Sequence, residues 1–285
     1  MAIFRSKIFY ACCVLVVGVI ILSVVLFFTN EGVATEFRQV RQSKPNLFYV
    51  GIDVSATIDK DTLEDFKNNV VSRLKHFIGE QSVSYAISSF GSPGCAKKSV
   101  KNIVSTKSPE DESSFTWKVK KKIRNISVSK LPPATSRVRL TTPLNYLLQS
   151  VLPKRTGGRV IIFSDLLNDD SDCPRQYPFP KKAITEFGKN KQGQIIFIYP
   201  TPRLTKTPKY NERTIKSQLD FIEKMRKLSN EGKVRTFFYH IPDDPAKRSR
   251  FMKSQLQNAI PVTQFEIIME RVSRVIDTMV SAVRG

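Results

Sequence analysis

The sequence predicts an α/β fold: a doubly wound, mostly parallel central sheet with helices on both faces, preceded by one N-terminal transmembrane helix. Three observations predict it. Short apolar runs of strand length alternate with amphipathic stretches whose apolar residues recur three and four apart. The two runs most like central strands, NLFYVGID at 46–53 and RVIIFSD at 159–165, each end in an aspartate. Residues 8–28 carry no charge, and as a helix that length spans about 30 Å, the thickness of a bilayer core.

The elements follow in chain order. Residues 1–28 read as an N-terminal tail and single-pass anchor. The apolar stretch exceeds the roughly 7–15 residues of a cleaved signal peptide, and Cys12 and Cys13 read as apolar fillers within it. The charges next to the span, Arg5 and Lys7, favour an N-terminus inside and a body outside. Residues 29–45 are a polar, basic tether, and 46–241 form the α/β domain. Its first strand, 46–53, is followed by a helix over 59–78 with Leu63, Phe66, Val70, Leu74 and Phe77 on one face. A strand over 82–90 closes on the loop GSPG, and 98–105 alternates as an edge strand. Ser108-Pro109-Glu110 predicts a helix start, continued by Phe115, Val119, Ile123 and Ile126.

After Leu131-Pro132-Pro133, a short helix is expected over 143–152, then the strand 159–165 and a strand over 195–199. A helix over 211–228 is expected to bury Ile215, Leu219, Ile222 and Met225, and a strand over 235–241 ends the domain. Residues 242–285 read as a helical segment broken near Pro261 and packed on the domain. Its stripe of Phe265, Ile268, Val272, Val275, Met279 and Ala282 follows a capping-box start at Thr263 and Glu266.

Composition narrows the function. The chain has 285 residues, 41% of them apolar, which suits one large domain and a packed core. Two histidines, His76 and His240, exclude a His-rich metal site, and four cysteines exclude a disulfide scaffold. No P-loop, dinucleotide fingerprint or nucleophile elbow is present. A phosphatase with an aspartate nucleophile would want a second carboxylate where Ser55 stands. The chain therefore reads as a binding protein, not an enzyme.

Three oxygen-bearing pieces fall where this topology brings strand ends together. Asp53-Val54-Ser55-Ala56-Thr57 follows the first strand and offers a carboxylate and two hydroxyls. Thr142 precedes the short helix, and Asp165 ends the most apolar strand. Carboxylates and hydroxyls are hard ligands that suit Mg²⁺, with Mn²⁺ or Ca²⁺ as alternatives.

These residues resemble the von Willebrand factor A (VWA) family and its metal-ion-dependent adhesion site (MIDAS). The family pattern, Asp-x-Ser-x-Ser, a separate Thr and a separate Asp, is matched by Asp53/Ser55/Thr57, Thr142 and Asp165. Thr142-Pro143-Leu144 and Phe163-Ser164-Asp165 resemble the family's local contexts. Thr57 departs from the second serine; it keeps the hydroxyl and adds a methyl. The resemblance implies metal-dependent binding of a protein partner that offers a carboxylate to the ion, with no chemistry on a substrate. In the family's strand order the strands before Cys95 and Cys173 flank the first strand. A Cys95–Cys173 disulfide is then sterically open to the chain and would require an oxidising, periplasmic or extracellular compartment; two free thiols are the other reading.

The net charge is +21. Lys118, Lys120, Lys121, Lys122 and Arg124 form a basic patch on one helix. The alternative function is a membrane-proximal basic scaffold that binds anionic lipid or nucleic acid by charge, with a non-functional metal site. Beside a membrane, lipid is favoured and nucleic acid is unlikely. Trp117 and Phe115 sit beside the apolar stripe and read as core. The oligomeric state is left open.

Overall fold

The computed structural model describes residues 46–91, 94–129, 142–155, 158–170, 173–189, 193–202 and 208–262. The chain divides into Met1–Pro45 and Asn46–Gly285, and every described residue lies in the second unit. The expected anchor at 8–28, the tether and the tail stripe beyond Val262 lie outside the described residues. Among the described residues, no helix is long and apolar enough to cross a membrane.

Among the described residues, six strands make one sheet: β1 (Asn46–Asp53), β2 (Val83–Phe90), β3 (Val100–Lys107), β4 (Arg159–Phe163), β5 (Gln194–Tyr199) and β6 (Thr236–His240), in the order β3-β2-β1-β4-β5-β6. All neighbours are parallel except β2–β3, whose antiparallel register shifts between Ile87 and Ser88. The architecture is thus mixed α/β with a mostly parallel sheet. The chain builds outward from β1 through β2 on one side and through β4 on the other. The switch point, where such sheets open a crevice at their carboxyl ends, lies between β1 and β4.

Period-two alternation sends Phe48, Val50 and Ile52 of β1 into one core and Tyr49 into the other. The first core is covered by α1 (Lys60–Lys75), α2 (residues 112–124) and α6 (Pro245–Ala259). Phe66 of α1 stacks on Phe163 of β4 with ring centroids 4.5 Å apart. The second core is covered by α3 (Leu144–Val151), α4 (Lys181–Gly188) and α5 (Pro208–Asn230). Gly51 packs closely there: a Cβ would stand 2.9 Å from Ile162 Cδ1 and 3.2 Å from Leu147 Cδ2, and both side-chain tips would have to shift.

Helix α2 is three contiguous pieces, an α-turn Glu112–Phe115, a π-turn Thr116–Lys120 and an α-turn Lys121–Arg124. Phe115, Val119 and Ile123 are all buried at a spacing of four. In a pure α-helix that spacing drifts about 40° per step, and the wider π-turn takes up the drift. Lys67 of α1 is fully buried and donates to the carbonyls of Arg124 (3.0 Å) and Ile126 (2.5 Å), capping the end of α2. Arg73 Nη2 donates to Ile260 O (2.8 Å) and Arg159 Nη1 to Asn258 O (2.9 Å), holding the end of α6.

Four expectations need correction. The cap of α2 is Asp111, whose Oδ1 accepts from Ser114 N, whereas the Ser108 hydroxyl donates to Phe77 O. Trp117 is 63% exposed, because two residues past Phe115 is the opposite side of the helix. On α5 the buried face is Thr214, Gln218, Phe221, Ile222, Met225 and Leu228, while Ile215 and Leu219 face outward, 39% and 57% exposed. Finally, α4 lies between Asp165 and β5 where the sequence reading assigned no helix; with Ala183, Ile184 and Phe187 as its buried residues it is too short to show a period.

Candidate metal centre

Parallel pairing places Ile52 opposite Phe163, so the next residues, Asp53 and Ser164, leave the sheet side by side at the switch point. Asp53 is fully buried. Its Oδ1 accepts from Ser55 N at 2.8 Å, folding the loop back on itself, and its Oδ2 accepts from Ser164 Oγ at 2.6 Å. Ser55 Oγ and Thr57 Oγ1 lie 2.9 Å apart and share one hydrogen bond, leaving lone pairs on both oxygens. Gly91, at φ +128°, makes room for this loop; a Cβ there would stand 2.8 Å from Ser55 N.

Asp165 is also fully buried. Leu167 N donates to its Oδ1 at 3.2 Å, and the nearby Thr57 hydroxyl favours its charged form. Its Oδ2 has no partner. Leu166, buried in the left-handed region at φ +62°, turns the chain sharply just after it, a conformation that costs a branched side chain about 1–2 kcal/mol. The Leu166 N–H is held by Ser164 Oγ at 3.1 Å.

Burial is the largest force on Asp53, with the Asp165 charge second. Together they push its carboxyl up to about 7 against the bonds from Ser164 and Ser55. Burial also raises Asp165, partly offset by the Thr57 hydroxyl and Leu167 N–H. Among the described residues, neither carboxylate is paired with a lysine or arginine.

Thr142 is held at the same rim. Its N–H donates to Asp169 O at 2.8 Å and its carbonyl accepts from Asp169 N at 3.0 Å, four residues past Asp165. The loop carrying Asp169 is itself braced. Asn145 N donates to Asn168 Oδ1 (2.9 Å), Tyr177 N donates to Asp170 Oδ2 (2.6 Å), and Cys173 is joined to Cys95 with Cα atoms 5.8 Å apart. The structure thus links Asp53, Ser55 and Thr57 by hydrogen bonds, brings the Asp165 carboxyl near enough to act on Asp53, and sets Thr142 on the adjoining loop.

Two contributors escaped the sequence reading. Ser164 figures there only as context, yet its hydroxyl ties the two strand ends together. Gln218 of α5 donates to Asp165 O (2.8 Å) and Pro200 O (3.1 Å), fixing the backbone that carries the second carboxylate. A polar residue in the middle of an expected apolar face was the available signal.

The donor set fits a small hard cation. Two buried carboxylates that repel each other, one with a free oxygen, lack the positive charge that would offset their burial. Among the described residues, no group of three or more His, Cys, Asp or Glu is placed to hold an ion. This site has two carboxylates and completes its set with hydroxyls.

No family model matches the chain, and no curated protein matches it in sequence. Among solved structures it is similar to the pilus adhesin SpaC of Lactobacillus rhamnosus GG in its open conformation, with 12% identity and a TM-score of 0.46, covering 76% of this chain and 30% of that one. It is similar to a von Willebrand factor type A structure from Catenulispora acidiphila, with 12% identity and a TM-score of 0.43, covering 76% of this chain and 43% of that one. It is also similar to the PilB minor pilin of Streptococcus sanguinis, with 12% identity and a TM-score of 0.39, covering 77% of this chain and 63% of that one. The match spans less than two thirds of each of these proteins.

Proposed function

We propose that this chain is a membrane-anchored VWA-type domain that binds a protein partner through a divalent cation, Mg²⁺ by donor chemistry. Asp53 and Asp165 would hold the ion, directly or through water, and Ser55, Thr57 and Thr142 would offer hydroxyl oxygens. Two carboxylates and neutral hydroxyls leave room for one more anionic oxygen, which a partner carboxylate would supply. Ser164 and Gln218 orient the two carboxylates. No group is assigned to bond making or breaking. Residues 8–28 would be the anchor, and the Cys95–Cys173 bond suits an extracytoplasmic body.

The observation that carries this reading is the uncompensated carboxylate pair at the switch point, with Asp165 Oδ2 buried and without a hydrogen-bond partner. Calorimetric titration of the purified chain with Mg²⁺ tests it. Binding is expected in the parent and lost in Asp53→Ala and Asp165→Ala; unchanged affinity in both variants overturns it. Capture of a partner in Mg²⁺ and its release by chelator would then identify the ligand.

The charge-binding reading rests on a separate observation, the exposed Lys118, Lys121, Lys122 and Arg124 of α2. Salt separates the two readings, since binding by charge weakens with ionic strength and metal-bridged binding is lost to chelator.

A further inference from the structure

We infer that the outward face of α2 is a docking surface for an anionic lipid bilayer, built from Trp117 as an interfacial anchor and the cations around it. Trp117 is the only tryptophan in the chain and stands 63% exposed. Lys121, one turn on, lies with Nζ 4.2 Å from the centre of its ring. Lys118 and Lys122 form the adjacent i, i+4 pair, and Arg124 follows; all are exposed. Between Glu112 and Arg124 the sequence has no acid, and Glu112 is itself paired with Lys75 at 2.5 Å.

The helix is built to hold this face outward. Phe115, Val119 and Ile123 bury its inner side, the π-turn keeps those three in line, and Lys67 fastens its end. An exposed indole with one ammonium group over its ring and further cations along the same helix has little use in water alone. It matches a surface with negative charge outside and an apolar interior just beneath, where indole rings settle and cations add attraction. Indole rings also anchor protein interfaces and stack on bases, and the experiment below separates those partners from lipid.

The face runs along the side of the domain, between the two ends of the sheet. The start of α2 meets the last turn of α1 through Lys75–Glu112, and Gly79 N donates to Pro109 O at 2.8 Å. These contacts lie at the amino end of the parallel strands, where Asn46 joins the preceding segment. The chain leaving α2 reaches the opposite pole, where Ser129 N donates to Val54 O at 2.7 Å beside the candidate ion site. Trp117 stands near the middle of α2, with Lys121, Lys122 and Arg124 beyond it toward the Val54 pole. The inference rests on the charge and geometry of α2 and does not require the metal reading.

The full chain, mixed with vesicles of phosphatidylcholine alone or with added phosphatidylglycerol, tests it, because the single tryptophan reports its own surroundings. Flotation reads membrane association by any route, so failure of the anchor is seen separately. Expected in anionic vesicles only is a blue-shifted emission quenched by brominated lipid and reversed by high salt. Each lysine removed should shift the docked-to-free ratio about fivefold, so K118Q/K121Q/K122Q should lower it about a hundredfold. Emission that stays water-like and open to iodide in both vesicle types overturns the inference. So does an emission shift produced by polyglutamate or an oligonucleotide and not by vesicles.

Discussion

Replacing Asp53 by asparagine gives the sharpest reading of the carboxylate pair. In the folded protein Asp53 titrates near 7, against an ordinary value of 3.8. Between those values the folded state binds a proton that the unfolded state has released. Stability from this group is therefore greatest below pH 4, falls as pH rises, and levels off above 7. A rise of that size corresponds to about 4 kcal/mol. The Asp53→Asn variant has no such slope. Its amide oxygen can accept from Ser55 N while its Nδ2 donates to Ser164 Oγ, but the Ser164 hydroxyl proton then loses its acceptor, which costs about 1–3 kcal/mol at every pH. Removing the charge at this position also eases ionisation of Asp165. In chelator, the variant should be less stable than the parent at pH 4.5 and more stable at pH 8, the curves crossing between. Urea unfolding followed by far-UV circular dichroism at several pH values checks this. Adding Mg²⁺ at pH 8 should raise the parent's midpoint and leave the variant's in place. Parallel stability curves for the two proteins from pH 4.5 to 8 would refute the claim that buried, uncompensated charge shapes this site.

Other consequences are equally direct. Gly91→Ala puts a methyl 2.8 Å from Ser55 N at a left-handed φ, and should lower both the thermal midpoint and Mg²⁺ affinity, read by scanning calorimetry and titration. Reducing the Cys95–Cys173 bond, which closes a sequence separation of 78, should cost about 4 kcal/mol by loop entropy and weaken Mg²⁺ binding through the Thr142 loop, measured with and without dithiothreitol. Phe66→Ala removes the ring stacked on Phe163 and should cost about 3–5 kcal/mol in urea unfolding. Lys67→Met keeps the volume but leaves the carbonyls of Arg124 and Ile126 without their donor. It should destabilise by about 1–3 kcal/mol, with hydrogen exchange fastest at the end of α2.

Much of this arrangement was legible in the sequence because single physical signals marked it. The parallel strands are unbroken apolar runs, and an aspartate directly after such a run can only lie at a strand end. The antiparallel β3 showed as an alternating, lysine-bearing stretch. What stayed hidden depended on partners remote in sequence. The inward turn of Gln218 follows from backbone acceptors at Asp165 and Pro200, so periodicity alone put Ile215 and Leu219 in the core. The exposure of Trp117 is set by a helical phase anchored on Phe115. The role of Ser164 appears only when β1 and β4 lie side by side. The α2 cap shifted to Asp111 because Ser108 is drawn to Phe77 O instead.

The outer strand β3 has a consequence for how copies of the molecule tolerate crowding. Lys101, Asn102 and Lys107 point into solvent along it, and the slip in its pairing at Ile87/Ser88 bends the ladder it shares with β2. A neighbouring copy that tried to zip onto this border would meet like charges and mismatched spacing. Dense arrays of the protein should therefore stay as separate particles on this side rather than fusing into continuous ribbons.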